Sequence, residues 1–122
     1  MTETLYFGTY TKKTSEGIYK ASLDTTTGLL SDRQLVAKEP NPTYLTFDKS
    51  GHLYSVGAEN GEGGVAAFDN DGELINHVVD AGAPLCYVAV DEVRNLVYGA
   101  NYHKGEVLVY KRAADGALTL AD

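Results

Sequence analysis

Tyr44-Leu45-Thr46-Phe47-Asp48 and Tyr87-Val88-Ala89-Val90-Asp91 decide the fold. Each is a short run led by an aromatic residue and closed by an aspartate, and 43 residues separate the two. Outward from them, Gly28-Leu29-Leu30, Gly72-Glu73-Leu74 and Gly116-Ala117-Leu118 each complete a Thr-Gly or Asp-Gly turn, in steps of 44 residues. Leu5-Tyr6, Leu53-Tyr54 and Val97-Tyr98 repeat at 48 and then 44 residues. A period of this size, filled with short strands, is the mark of a β-propeller blade or a similar array. One such unit cannot bury its own apolar face, so it must stack on neighbours.

Apolar and polar residues alternate over short runs, and no stretch holds a helical period. The pattern predicts an all-β chain with strands at 4–10, 16–23, 33–38, 43–48, 52–58, 64–69, 73–79, 86–91, 95–101, 106–111 and 117–121. Turn residues separate them, as in Asp48-Lys49-Ser50-Gly51, Asn70-Asp71-Gly72 and Ala114-Asp115-Gly116. Sorted by repeat, these strands make a partial propeller of about 2.75 four-stranded antiparallel blades. Residues 1–38 form a first blade without its inner strand, 39–79 a second and 80–122 a third, all within one propeller domain cut at its C-terminal side. The bland alternative is a self-contained sandwich of the same strands. Propellers close with about four to eight blades, so the expectation is the opening part of a longer protein, its missing strand supplied by the far carboxyl terminus. Alone, such a piece exposes strand edges and apolar faces and is expected to self-associate.

Composition narrows the function. A 43% hydrophobic fraction is ordinary for a globular chain, and nine tyrosines with thirteen glycines suit strands and tight turns. The net charge of −7 argues against nucleic acid as a partner. No apolar run reaches the roughly 20 residues of a membrane helix, and Met1-Thr2-Glu3-Thr4-Leu5-Tyr6 lacks the regions of a signal peptide. One cysteine cannot form an internal disulfide. Together these predict a cytoplasmic protein without membrane contact.

In a meandering blade, alternate loops gather at opposite ends. The connections at 24–28, 48–52, 69–72, 91–95 and 113–116 share one end and are compact Asp/Gly turns. Those at 10–17, 39–43, 59–64, 80–86 and 102–105 share the other; they are longer and carry Glu, His, Asn, Tyr and Lys. Binding concentrates where a rigid scaffold presents such loops.

Phe7-Gly8-Thr9-Tyr10-Thr11, Gly17-Ile18-Tyr19, Asn41-Pro42-Thr43-Tyr44-Leu45 and Ala100-Asn101-Tyr102 followed by Gly105-Glu106-Val107 resemble, in order and along the whole chain, the opening of the seven-bladed propeller lactonases. That family includes 6-phosphogluconolactonases of the propeller type. The resemblance implies a parent roughly three times as long, which opens a sugar lactone, phosphorylated or not, in the pentose phosphate route of glucose metabolism. It implies water attack without a cofactor, and a fragment inactive by itself. The family's usual Pro-Cys-His appears here as Leu85-Cys86-Tyr87, which removes a histidine. The alternative is a non-catalytic propeller that binds a small molecule or a protein through the same end; fold alone does not choose.

Lactone hydrolysis needs a base for water, a donor for the developing oxyanion and a cation where the substrate bears phosphate. Glu59 and His103 are the candidate catalytic residues, against the plain reading of Glu59 as a solvated loop carboxylate. Tyr10, Lys12, Asn101, Tyr102 and Lys104 are the candidate substrate-binding residues, although Asn and Tyr also close turns and lysines also solvate surfaces. Cys86 reads as a small buried apolar residue at the head of an inner strand. No metal is expected, because His52, His77 and His103 lack ligand spacing. Asp69-Asn70-Asp71-Gly72 is a hairpin turn rather than a calcium loop, and Gly61-Glu62-Gly63-Gly64 does not lead into a helix. A Gly-x-Ser-x-Gly elbow is absent.

Overall fold

The computed structural model describes residues 1–82 and 84–122. The 80–86 connection therefore includes one residue, Ala83, outside the described set. Eleven strands and no helix appear among the described residues: β1 (Thr2–Phe7), β2 (Gly17–Asp24), β3 (Leu30–Lys38), β4 (Leu45–Phe47), β5 (Leu53–Glu59), β6 (Glu62–Phe68), β7 (Leu74–Asp80), β8 (Tyr87–Asp91), β9 (Leu96–Asn101), β10 (Glu106–Arg112) and β11 (Leu118–Leu120). They form three antiparallel meanders. Sheet I is β1-β2-β3, sheet II is β4-β5-β6-β7 and sheet III is β8-β9-β10-β11.

The eleven expected strands are all present, and their ends differ for local reasons. β1 starts at Thr2, paired with Asp24, but stops at Phe7 rather than running to 10. Beyond it Thr9 turns its hydroxyl to Gly17 O (2.6 Å) and to the Ser15 hydroxyl, and Thr11 N donates to Asn41 Oδ1 at 2.8 Å. Those side-chain bonds replace a ladder. β3 begins earlier than expected, and register shifts on its partner at Ile18/Tyr19 and Lys20/Ser22 absorb the extra residues as bulges. β4 is trimmed to Leu45–Phe47 because Thr43 N is committed to Asn41 O at 2.8 Å. The repeated Asp-Gly turns demand glycine: Gly72 and Gly116 hold φ of 82° and 93°, and their amides close onto Asp69 O and Ala113 O at 3.1 and 3.0 Å.

Strand alternation sends each sheet's side chains to two neighbours. On sheet II, Leu53, Ala66 and Phe68 meet Ile18 and Ala37 of sheet I. From the opposite face Tyr54, Val56, Val65 and Ala67 meet Val88, Val97, Tyr110 and Leu118 of sheet III. The β4/β8 sides of the fanned sheets approach each other, as do β7 and β11, where Asn76 Nδ2 donates to Leu118 O (2.8 Å) and Leu118 N returns a bond to Asn76 Oδ1 (3.2 Å). Sheet I has three strands, with β1 at one edge and β3 at the other. Its outer flank holds an open cavity of about 750 Å³ lined by Phe7, Tyr19, Ala21, Leu30 and Arg33 among others. None of the candidate site residues lines it. The chain is a partial propeller.

Candidate functional site

The end with the short turns is a structural staple. Asp48 closes the inner strand of sheet II with a fully buried carboxylate. It accepts His52 N (2.9 Å), pairs with His52 Nδ1 (2.8 Å) and meets Arg112 Nη1 from sheet III at 2.8 Å. Arg112 Nη2 continues to Glu92 Oε1 and Asn95 Oδ1, each at 3.1 Å. Tyr54 donates to Gly116 O across the same interface at 3.0 Å. Burial pushes the Asp48 carboxyl up, but the His52 and Arg112 hydrogen bonds outweigh it and hold the group below the usual carboxylate range. Its charge is spent on joining two sheets.

At the opposite end the longer loops collect, and Glu39, in the β3–β4 connection, is buried there. Its carboxylate accepts Ala58 N (2.9 Å) and lies 2.8 and 2.9 Å from His77 Nε2. His77 Nδ1 is 3.5 Å from Glu59 Oε2, too long for a strong bond. Gly57 makes room: a Cβ there would sit 2.2 Å from Glu39 Oε2. For Glu39, burial outweighs the bonds from Ala58 and His77, and its carboxyl is raised. Glu39 and His77 are sealed from solvent, their side chains only 2% and 9% exposed, whereas the Glu59 carboxylate is half-exposed.

The residues expected to act are dispersed among three places. Glu59 stands beside His77. Asn101, Tyr102, His103 and Lys104 share the β9–β10 turn. There Asn101 is buried and accepts Lys104 N at 3.1 Å, while Tyr102 is exposed and stacks on the His103 ring at 4.0 Å. Lys104 Nζ contacts Glu106 Oε1 (3.2 Å), Ala81 O (3.2 Å) and Asp80 Oδ2 (3.8 Å), so carboxylates already offset its charge. Tyr10 and Lys12 lie on the β1–β2 loop, the ammonium 5.7 Å from the ring centroid. No described contact joins Glu59 to His103.

Cys86 departs from its expected burial. It is exposed, with its thiol 3.3 Å from Ala100 O, because it precedes β8 at the inner edge, where no further strand covers it. Beside it Tyr87 meets Tyr44, ring centroids 4.6 Å apart. Both tyrosines stand inside the runs that revealed the repeat, so their equivalence was visible in sequence; their contact depends on how the sheets fan.

Among the described residues no helix is long and apolar enough to cross a membrane, and no cluster of His, Cys, Asp or Glu is arranged to hold a metal ion. The family model described as "Lactonase, 7-bladed beta-propeller" matches residues 4–122. The chain is 46% identical over 119 residues to a 6-phosphogluconolactonase of Bacillus subtilis, covering 93% of this chain and 34% of that one. A crystal structure of a protein from Lactobacillus plantarum matches all of this chain with a TM-score of 0.94 and 56% identity, over 37% of its own length. The Pseudomonas aeruginosa periplasmic gluconolactonase matches all of it with a TM-score of 0.85 and 28% identity, over 38% of its length. The chain thus spans little more than one third of these relatives. With a family match over nearly every residue and a partial propeller in its fold, it belongs to the seven-bladed β-propeller lactonases.

Proposed function

We propose that the ring to which this chain contributes opens the internal ester of a sugar lactone with water, as a 6-phosphogluconolactonase of glucose metabolism. The observation that carries this reading is the 46% identity, across 93% of the chain, to a protein bearing that name. The reaction takes place at the end where the longer loops gather. Water adds to the lactone carbonyl, the ring C–O bond breaks, and the proton lost by water reaches the departing ring oxygen.

Within this chain, His103 is the proton carrier, exposed on its turn and stacked on Tyr102. Tyr102 is the hydrogen-bond donor to the oxyanion, and Asn101 fixes the turn beneath them. Lys12 is the better placed of the two lysines to meet a phosphate, since Lys104 is engaged by Glu106 and Asp80. Glu59, with its half-exposed carboxylate, is the candidate base for water. The compartment proposed is the cytosol, in keeping with a single exposed, free cysteine.

Blades 1–38, 39–79 and 80–122 supply only part of the channel wall, so this chain alone should not turn over, and its open flanks should drive self-association. Sedimentation velocity at micromolar concentration tests the second point; one clean monomeric boundary would contradict it. The activity is tested by titrating acid release from 6-phosphogluconolactone and glucono-1,5-lactone with the protein carrying the whole ring. His103→Ala is expected to lower kcat at least tenfold and Glu59→Gln to lower it less. Unchanged rates in both variants would move the catalytic centre out of this segment. No rate above spontaneous hydrolysis on several sugar lactones would favour a binding module.

A further inference from the structure

Two side chains on the inner strands are used neither by the core nor by the proposed proton chemistry. Tyr44 immediately precedes β4 and Tyr87 opens β8, at equivalent places in consecutive sheets. Their rings touch at 4.6 Å with planes tilted by 47°. They remain 40% and 45% exposed, while Tyr54 and Tyr110, on the second and third strands of their sheets, are buried. Neither belongs to an apolar cluster. Their backbones do structural work that any residue would do: Tyr44 O accepts Val56 N at 3.0 Å, and Tyr87 pairs with Ala100 across the ladder. The rings pack on each other across two sheets yet keep much of their faces open to solvent, and the pair lies at the loop-bearing end of the inner strands.

We propose that Tyr44 and Tyr87 form an aromatic seat at the mouth of the channel that receives the C–H face of a sugar ring. The identity of that ring as a lactone rests on the function proposed above. A pyranose carries its hydroxyls around the edge and leaves polarised C–H bonds on its faces, which suit the electron-rich face of a phenol. Two tilted rings offer a shallow concave seat, and a phenol has few torsions to freeze on binding. Partial desolvation first, and the Tyr87 hydroxyl second, push the Tyr44 phenol up. The pair binds and orients; it exchanges no proton with the reacting atoms.

In the protein carrying the whole ring, Tyr44→Leu and Tyr87→Leu should each raise KM for glucono-1,5-lactone about three- to tenfold and leave kcat within about twofold. Tyr→Phe at either position should keep KM within about twofold, since the ring face remains. KM for δ-valerolactone, which has no sugar hydroxyls and far fewer polarised ring C–H bonds, should move less than about twofold. Leucine variants with unchanged KM for the sugar lactone, at unchanged melting temperature, would overturn the seat while leaving the hydrolase reading intact. If the ring opens no lactone at all, saturation-transfer NMR with methyl β-glucopyranoside still decides. Transfer from tyrosine ring protons to the sugar C–H protons, lost in the double leucine variant, supports the seat; no transfer in the parent protein overturns it.

Discussion

Sheet II and its two neighbours are built from the same repeat, yet only sheet II is covered on both faces. Along β5, Leu53 and Ser55 are buried toward sheet I while Tyr54 and Val56 are buried toward sheet III. Sheets I and III manage this on one face each. Phe7 is 37% exposed and Leu35 38% exposed on the flank of sheet I, and Val107 is 65% exposed on that of sheet III. What differs is the neighbour, and repeat stability is largely a property of such interfaces.

The same contrast holds for charge. Asp48 and Asp91 close equivalent inner strands. Asp48 is met by Arg112 from the next sheet, whereas Asp91 has only its own sheet: Tyr98 OH at 2.8 Å and the exposed Arg94 Nη1 at 3.1 Å. The Tyr98 hydrogen bond first, with the Arg94 amide and guanidinium after it, holds the Asp91 carboxyl below its usual value. One aspartate bridges two sheets and the other waits at a border.

The largest expected effect tests the apolar half of the comparison. Phe68→Ala, in the interface of sheets I and II, should destabilise by about 4 kcal/mol, against less than about 1 kcal/mol for Phe7→Ala on the open flank. Urea denaturation midpoints decide, and equal losses would erase the distinction. Next comes the charge pair. Asp48→Asn leaves the buried Arg112 with only the part-exposed Glu92 as its anion and should cost about 2 kcal/mol, whereas Asp91→Asn, facing solvent and a surface arginine, should cost less than about 1 kcal/mol.

The smallest effect is in the pH dependence. For Asp48, whose folded value is lowered, stabilisation is present above the unfolded carboxylate value and lost as pH falls through the folded one. Glu39, whose value is raised, contributes oppositely: fully below the unfolded value, and lost as pH rises through the folded one. Melting curves from pH 3 to 7 should therefore show a flatter acid limb in Asp48→Asn and less loss from pH 4.5 upward in Glu39→Gln, relative to the parent chain. A Glu39→Gln profile that matches the parent would remove Glu39 from the account.

Much of the architecture was legible because it is local. Alternation, the 43- and 44-residue steps and the Asp-Gly turns are written in neighbouring residues, and each of the expected strands exists. The sites were less so. Arg112 meets Asp48 across 64 positions and His77 meets Glu39 across 38, distances set by how sheets lean on one another rather than by any short motif. His52 and His77 looked scattered in sequence and are both held by buried carboxylates. Lys104 looked like a free cation until Glu106, its near neighbour across the turn, was placed beside it. Cys86 is exposed because it precedes β8 at the edge of sheet III, a placement that no local pattern around it announces.

Amide hydrogen exchange, read strand by strand at the lowest workable concentration, tests the central contrast most directly. The account predicts the slowest exchange in β5 and β6, with β1, β3 and β11 opening well before them. Equal protection across all three sheets, or slower exchange in β1 than in β5, would contradict it.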